Sequence, residues 1–248
     1  MIVIFGLLIG SFLNVCIHRL SRGESIVFPP SHCPNCGAKL TVWELIPVFS
    51  YLYLRGKCRH CQGTISPRYP IVEILTALFF VYIWRFVGHD LLLFVIYAAF
   101  ISLLLMIFFI DLENQLIPDS LCLIGVGVGL VHGLITSQIE NSLLGILIGV
   151  SLLLLIKKLG EMAYKKEVMG EGDIFLIGMI GAFLGWQLVL LAIFLAYLLA
   201  AAVAFYCIFR QQVKLGSYIP FGPALAGGAV IAIFWGKAII SWYFGIWT

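Results

Sequence analysis

Long apolar runs, separated by short polar stretches, constrain this chain more than any other feature of its sequence. Hydrophobic residues make up 62% of the 248 residues and charged residues only 11%, whereas a soluble domain carries roughly a quarter charged residues. So few charges cannot cover a surface that faces water on all sides. Because about 20 apolar residues cross a bilayer as a helix, the sequence predicts an all-α integral membrane protein.

Eight of these runs predict a bundle of about eight transmembrane helices. The sixth is short and rich in glycine, so we expect it to pack closely against neighbouring helices rather than lipid. The first has no basic segment before it and no small-residue cleavage site after it, so we expect a retained helix rather than a signal peptide. No internal repeat is evident. The runs are 1–19, 71–88, 91–110, 120–137, 142–157, 174–186, 187–209 and 219–236.

Residues 20–70 are polar and rich in proline and cysteine. They predict a small extramembrane subdomain between the first span, residues 1–19, and the remaining core, residues 71–248. Basic residues concentrate on the cytoplasmic side of membrane proteins. With the N-terminus outside, thirteen of the fifteen Lys and Arg residues lie inside, and only Arg85 and Lys237 lie outside. We therefore expect a cytoplasmic insert. The net charge of +3, without a basic run, argues against a nucleic-acid partner.

Four of the seven cysteines form two CxxC knuckles, which are separated by 21 residues within the insert. Two thiolates from each knuckle complete a tetrahedral zinc site that leaves no open position for a substrate. A pair of redox dithiols is the alternative, but the reducing cytoplasm disfavours persistent disulfides. The knuckles predict a structural Zn²⁺ site formed by Cys33, Cys36, Cys58 and Cys61.

Three of the four aspartates lie at the predicted inner membrane boundary, where a carboxylate partly removed from water needs a reason. Asp90 is the exception, in a short outer loop. Asp119 follows Pro118 and opens a helix, so we expect it to be an N-cap. Asp111 ends the third span, which is the wrong end of the helix dipole for an anion. Asp111 is therefore a candidate functional residue, with interfacial solvation as the alternative.

Asp173 closes the run Met169-Gly170-Glu171-Gly172-Asp173 and begins the sixth span. An N-cap role is again the alternative to a functional one. Gly170 and Gly172 permit unusual backbone angles and close approach of another chain, as a site that grips an extended peptide requires. Glu171 is the competing acid.

Two carboxylates brought together share one proton, so that one activates water while the other polarises a scissile carbonyl. Asp111 and Asp173 both fall at the cytoplasmic ends of their helices, at similar depth, so they could form such a pair. No GxSxG or HExxH pattern supports another hydrolase class. An ion transporter would place carboxylates near the bilayer midplane, but the spans contain only Glu73, close to a helix start. A scaffold that binds a partner through the knuckles would leave the aspartates unexplained.

Five motifs occur in order along nearly the whole chain. Asp111 is followed by Ile117-Pro118-Asp119, and Gly170-Glu171-Gly172-Asp173 comes later. The others are Gly10-Ser11-Phe12-Leu13-Asn14-Val15 with Arg19-Leu20, the knuckles flanking Glu44-Leu45-Ile46-Pro47 with Arg68-Tyr69-Pro70-Ile71-Val72-Glu73 after them, and Pro220-Phe221-Gly222-Pro223. This set resembles the type IV prepilin peptidases, a family of GxGD aspartic peptidases that includes secretion-system and competence enzymes.

The resemblance implies a bacterial inner-membrane enzyme with Asp111 and Asp173 as the catalytic aspartates. Its substrates would be prepilins and pseudopilins, cut after a glycine at the cytoplasmic membrane boundary. The cysteine-rich form is similar to members that also methylate the new N-terminus with S-adenosylmethionine, although spacing alone places none of the methyltransferase residues. One departure is Phe175, where the family often has lysine two positions after the second aspartate.

Overall fold

The computed structural model describes residues 1–210 and 220–245. Within these residues every regular element is helical, and the only β pairing consists of two isolated bridges in the polar insert. The predicted all-α class is confirmed. In chain order the elements are α1 (Ile2–Leu20), a 3₁₀ turn (Val42–Leu45), α2 (Phe49–Tyr53), α3 (Arg68–Phe86), α4 (Leu91–Asn114), α5 (Asp119–Ile135), α6 (Ile139–Tyr164), α7 (Glu171–Phe209) and α8 (Gly222–Gly245).

Six of these helices are long and apolar enough to cross a membrane, namely α1, α3, α4, α6, α7 and α8. A seventh apolar helix, α5, has only 17 residues and corresponds to the predicted span at 120–137. The first residue of the predicted span 219–236 lies outside the described residues, as does Lys214 of the preceding loop. All the predicted spans therefore have a helical counterpart, provided that α7 supplies two of them.

Helix α7 folds back on itself as two helical arms. At the break, Gly185 has φ 76° and ψ 177°, a region that is essentially open to glycine alone. Ile177 and Val189 both lie against the same position on Gly149 of α6, whereas a straight helix would separate them by about 18 Å. The Asn141 side chain accepts a hydrogen bond from the Trp186 N–H at 3.3 Å, just after the break. The two arms match the predicted spans 174–186 and 187–209.

The chain divides into two compact units, Met1–Met106 and Ile107–Thr248. In the first unit, α1 packs closely against α3 because glycines in α1 leave room for the α3 backbone. A Cβ on Gly10 would stand 2.6 Å from the Glu73 Cα. One turn further along, the Asn14 amide donates a hydrogen bond to the Tyr69 carbonyl at 2.9 Å. These contacts hold together the two helices that flank the polar insert.

In the second unit, α7 packs against α5, α6 and α8. Every residue from 176 to 185 in its first arm is buried. Small residues make this possible, since Gly129 of α5 lies against Ala182 and Gly145 of α6 lies against Gly181. The prediction that the short glycine-rich run packs against helices is confirmed.

Several helix ends differ from the predicted ones. Helix α3 begins at Arg68 rather than 71, because Pro70 falls in the first turn, where proline is tolerated. Helix α4 continues past Asp111 to Asn114. The expectation that Asp119 caps α5 is wrong, because Pro118 occupies the N-cap position in an extended conformation and Asp119 is the first helical residue.

Candidate functional site

Asp111 lies in the last turn of α4 and is only 3% exposed. Its Oδ2 accepts a hydrogen bond of 2.9 Å from the backbone N–H of Gly222. Gly222 is the first residue of α8, so this N–H is one of the donors that a helix start leaves without an intrahelical partner. The arrangement supplies the favourable contact that Asp111 lacks at the C-terminal end of its own helix.

Asp173 is the third residue of α7 and is also only 3% exposed. The alternative interpretation required Asp173 to be the N-cap of its helix. The N-cap is instead Gly170. Its carboxylate instead interacts with the Gly170 N–H, and the charges of Asp111 and of Lys157 in α6 both reach it. The structure therefore brings the two predicted aspartates close together. Lys157 supplies a positive charge near Asp173, although Phe175 stands where the family often has lysine.

Ile117 lies between the two predicted glycine motifs of the site. A Cβ on Gly172 would stand 2.7 Å from the Ile117 Cβ, and a Cβ on Gly222 would stand 3.1 Å from its Cδ1. The expected close approach at Gly172 is present, but the approaching group belongs to this chain. The expected unusual backbone angles are absent, because Gly170 and Gly172 both have negative φ among the described residues.

Tyr197 is a further site residue, which sequence reasoning missed. It lies in the second arm of α7, and the charge of Asp173 reaches its hydroxyl. Its ring packs against that of Phe221, with centroids 5.0 Å apart. No sequence signal places Tyr197 here, because its approach to Asp173 depends on the break at Gly185. By contrast, the rival acids Asp119 and Glu171 are exposed to solvent.

The four knuckle cysteines form the second predicted site, in the first unit. Their sulfur atoms all lie within 4.8 Å of one another, and Cys33 Sγ is 3.9 Å from Cys61 Sγ. Backbone N–H groups of Cys61 and His60 lower the pKa of Cys58 and so favour its thiolate. Four converging thiolates form one of the usual tetrahedral ligand sets, so the donor set fits one metal ion.

Both knuckles have the same backbone hydrogen bonds. In the first, Cys33 donates to Ala38 and Leu40 donates to Ser31; in the second, Cys58 donates to Gly63 and Ile65 donates to Gly56. The isolated bridges His32–Lys39 and Lys57–Thr64 are related by the same offset of 25 residues. The insert thus contains a ten-residue repeat, 31–40 and 56–65, and the expectation of no internal repeat is wrong. Only the CxxC pairs signalled it.

Comparison with known proteins gives two matching family models. The description "Bacterial Peptidase A24 N-terminal domain" applies to residues 4–86, and "Type IV leader peptidase family" applies to residues 98–205. Curated proteins named prepilin leader peptidase/N-methyltransferase are similar over nearly the whole length. The one from Stutzerimonas stutzeri is 36% identical, with 97% of this chain and 92% of the relative covered. The one from Pseudomonas aeruginosa is 36% identical, with 97% and 91% covered, and that from Aeromonas hydrophila is 34% identical, with 98% and 92% covered. No solved structure gives a significant match.

Proposed function

The chain belongs to the type IV leader peptidase family, and we propose that Asp111 and Asp173 are the residues that carry out its proteolytic reaction. The protein is a multi-pass bacterial membrane enzyme that cleaves prepilins and N-methylates the product. The observation that carries the assignment is the burial of two carboxylates close enough for their charges to interact. Buried like charges are costly to hold together, and aspartic peptidases use such pairs to share one proton.

In the proposed reaction the pair holds a water molecule against the scissile peptide bond. The ionised carboxylate accepts a proton from the water as its oxygen attacks the carbonyl carbon, and the protonated carboxyl donates its proton to the carbonyl oxygen. Collapse of the resulting diol breaks the C–N bond. The accepted proton passes to the leaving amine, and a diol hydroxyl returns its proton to the other carboxylate, which restores the starting pair. The Gly222 N–H fixes one oxygen of Asp111, while Gly170 holds Asp173. Gly170 and Gly172 are supporting residues.

The finer assignments follow from the charge pattern and the family resemblance. We propose that the N-terminus lies outside, that the active site lies at the cytoplasmic boundary of the inner membrane, and that cleavage follows a glycine behind a short basic leader. The thirteen basic residues on one side support this orientation. We expect contacts with lipid and with prepilins or pseudopilins, and none with nucleic acid.

The same proposal divides the chain into a first span at residues 1–19, a metal-binding subdomain at 20–70 and the peptidase core at 71–248. The four-cysteine cluster is a structural metal site. We propose Zn²⁺ as its ion, because four thiolates in a tetrahedral set are the usual ligands of structural zinc. S-adenosylmethionine is proposed as the methyl donor on the family resemblance alone.

Cleavage of a prepilin by purified enzyme tests the aspartate pair. Asp111→Asn and Asp173→Asn keep the shape of each side chain while removing its acid–base function, so each should lower the cleavage rate by at least about 10²-fold. Asp119→Asn and Glu171→Gln are matched controls, because both acids are exposed near the site, and each should cleave at the wild-type rate. Substantial activity in either pair variant would assign that aspartate a structural role.

A further inference from the structure

The cytoplasmic insert exposes large apolar side chains in the short segment from the 3₁₀ turn to the end of α2. Trp43 is 78% exposed, Phe49 68%, Leu52 65% and Tyr53 87%. We call these four side chains the aromatic face. The 3₁₀ turn contacts α2, so the two pieces of the segment form one local structure. Large apolar side chains exposed together in one segment mark a contact with a partner or a membrane.

The outward face of α2 is apolar, which is unusual for a segment surrounded by water. Phe49, Leu52 and Tyr53 are spaced by three and four residues and therefore share one helix face. The other residues of α2, Ser50 and Tyr51, are less exposed. A helix bordered by water turns a polar face outward, so the apolar outward face of α2 indicates that this side meets an apolar environment.

A hydrogen bond fixes the depth of this segment relative to the membrane. The backbone N–H of Val48, the residue directly before α2, donates to Oε2 of the buried Glu73 at 2.7 Å. Glu73 lies five residues into α3, about 7.5 Å along the helix from Arg68, and the interfacial layer of a bilayer is about 5–7 Å thick. On the same turn of α3, Ile71 and Ile74 are exposed, as lipid-facing residues are. Helix α2 is therefore attached where α3 enters the membrane.

The charges that follow α2 complement the surface of a bacterial membrane. Arg55, Lys57 and Arg59 are all exposed. Basic residues beside an apolar segment are attracted to anionic headgroups, and tryptophan and tyrosine favour the interfacial layer itself. Aromatic side chains with basic residues behind them are the composition of an interfacial anchor.

We propose that the aromatic face docks the cytoplasmic insert onto the lipid interface of the membrane that α1 and α3 cross. The occupant of this surface is the headgroup and upper acyl-chain layer of the bilayer. Docking holds the metal-binding knuckles at the membrane surface. The inference depends on the membrane character of the chain and not on the assignment of the aspartate pair, so the two fail independently.

Fluorescence quenching in lipid nanodiscs tests the proposal. The full-length, metal-loaded protein is reconstituted in anionic lipid that is brominated near the headgroup end of its acyl chains, or in unbrominated lipid. The chain has six tryptophans, so the emission of Trp43 is obtained by subtracting the spectrum of Trp43→Phe. We expect brominated lipid to quench the Trp43 emission and aqueous iodide to leave it unchanged. Quenching by iodide and not by brominated lipid would overturn the proposal, as would protection from iodide that develops only when a prepilin is added.

A double variant tests whether the face itself is the anchor. Phe49→Ser combined with Leu52→Ser should transfer Trp43 from lipid quenching to iodide quenching while the metal content remains at one ion per chain. Phe28→Ser is the matched control, because Phe28 is 74% exposed in the same insert but lies outside the aromatic face. It should leave the quenching of Trp43 unchanged. Unchanged lipid quenching in the double variant, or an equal loss in the control, would show that the aromatic face does not hold the segment at the membrane.

Discussion

Replacement of Gly222 by alanine tests the contact between α8 and Asp111. The added Cβ would stand 2.5 Å from Asp111 Oδ2 and 3.0 Å from its Cγ. It would also stand 3.1 Å from the Ile117 Cδ1. The carboxylate has to move away, although the Gly222 N–H that holds it is retained. The substitution thus displaces a proposed catalytic group without changing its chemistry.

The size of the effect follows from the cost of overpacking. Inserting one methyl group into a packed site costs about 1–3 kcal/mol. Each 1.36 kcal/mol of transition-state stabilisation that is lost lowers the rate tenfold. If the whole cost of overpacking falls on the transition state, kcat drops by about 5- to 150-fold. A misplacement of about 1 Å has effects of similar size in other enzymes. KM should change less, because the displaced group acts on the bond rather than on the body of the substrate.

Two other glycines provide matched controls for this assay, which measures kcat on a prepilin beside thermal unfolding. Gly236→Ala, also in α8, places a Cβ 2.6 Å from the flexible end of Leu188, so it tests crowding of the helix away from the site. Gly127→Ala in α5 meets open space. Both should retain wild-type kcat. Wild-type kcat in Gly222→Ala would show that the Asp111 position seen here is not the catalytic one, and an equal loss in Gly236→Ala would trace the effect to helix packing.

Three further predictions concern the metal, the insert and the cation near the site. Removal of the metal by a chelator should unfold residues 20–70 and weaken processing indirectly; full activity after verified metal loss would show that the knuckles are dispensable. Glu73→Ala leaves the Val48 N–H without an acceptor and should cost about 1–3 kcal/mol of stability, seen as a lower Tm, whereas Glu73→Gln keeps an acceptor oxygen and should cost less; equal losses would contradict this role. Lys157→Met should lower kcat more than it changes KM, because the lysine charge reaches Asp173. An unchanged kcat would show that this charge does not contribute to the reaction.

The sequence predicts those parts of this molecule that depend on local pattern. Apolar runs of sufficient length identify the spans, because backbone groups in lipid must be satisfied within a helix. The paired CxxC spacing identifies the four cysteines that converge in the insert, because each knuckle is itself a local turn. The helix ends are less certain, as Asp119 shows: an acid at the first helical position also interacts favourably with the helix dipole, so its presence does not specify the cap.

The contacts within the candidate site are not predictable in the same way. Gly222 donates to a residue 111 positions earlier in the chain, and no spacing rule covers such a distance. Ile117 separates Gly172 from Gly222 through side-chain packing alone. Gly172 and Gly222 can each be recognised in the sequence as part of a motif. The reason for these glycines is the room that Ile117 and Asp111 require, and this is visible only in three dimensions.

The break at Gly185 shows how a residue far from the chemistry takes part in building the site. Asp173 and Tyr197 are 24 residues apart, which is about 36 Å along a straight helix, yet the charge of Asp173 reaches the Tyr197 hydroxyl. Only the reversal at Gly185 makes this possible, and its positive φ restricts the position to glycine. The hydropathy pattern predicts two spans here because the apolar run is long enough for two membrane-crossing helices. Their pairing, which brings Tyr197 to Asp173, is fixed by a single backbone conformation about 18 Å along the first arm from Asp173.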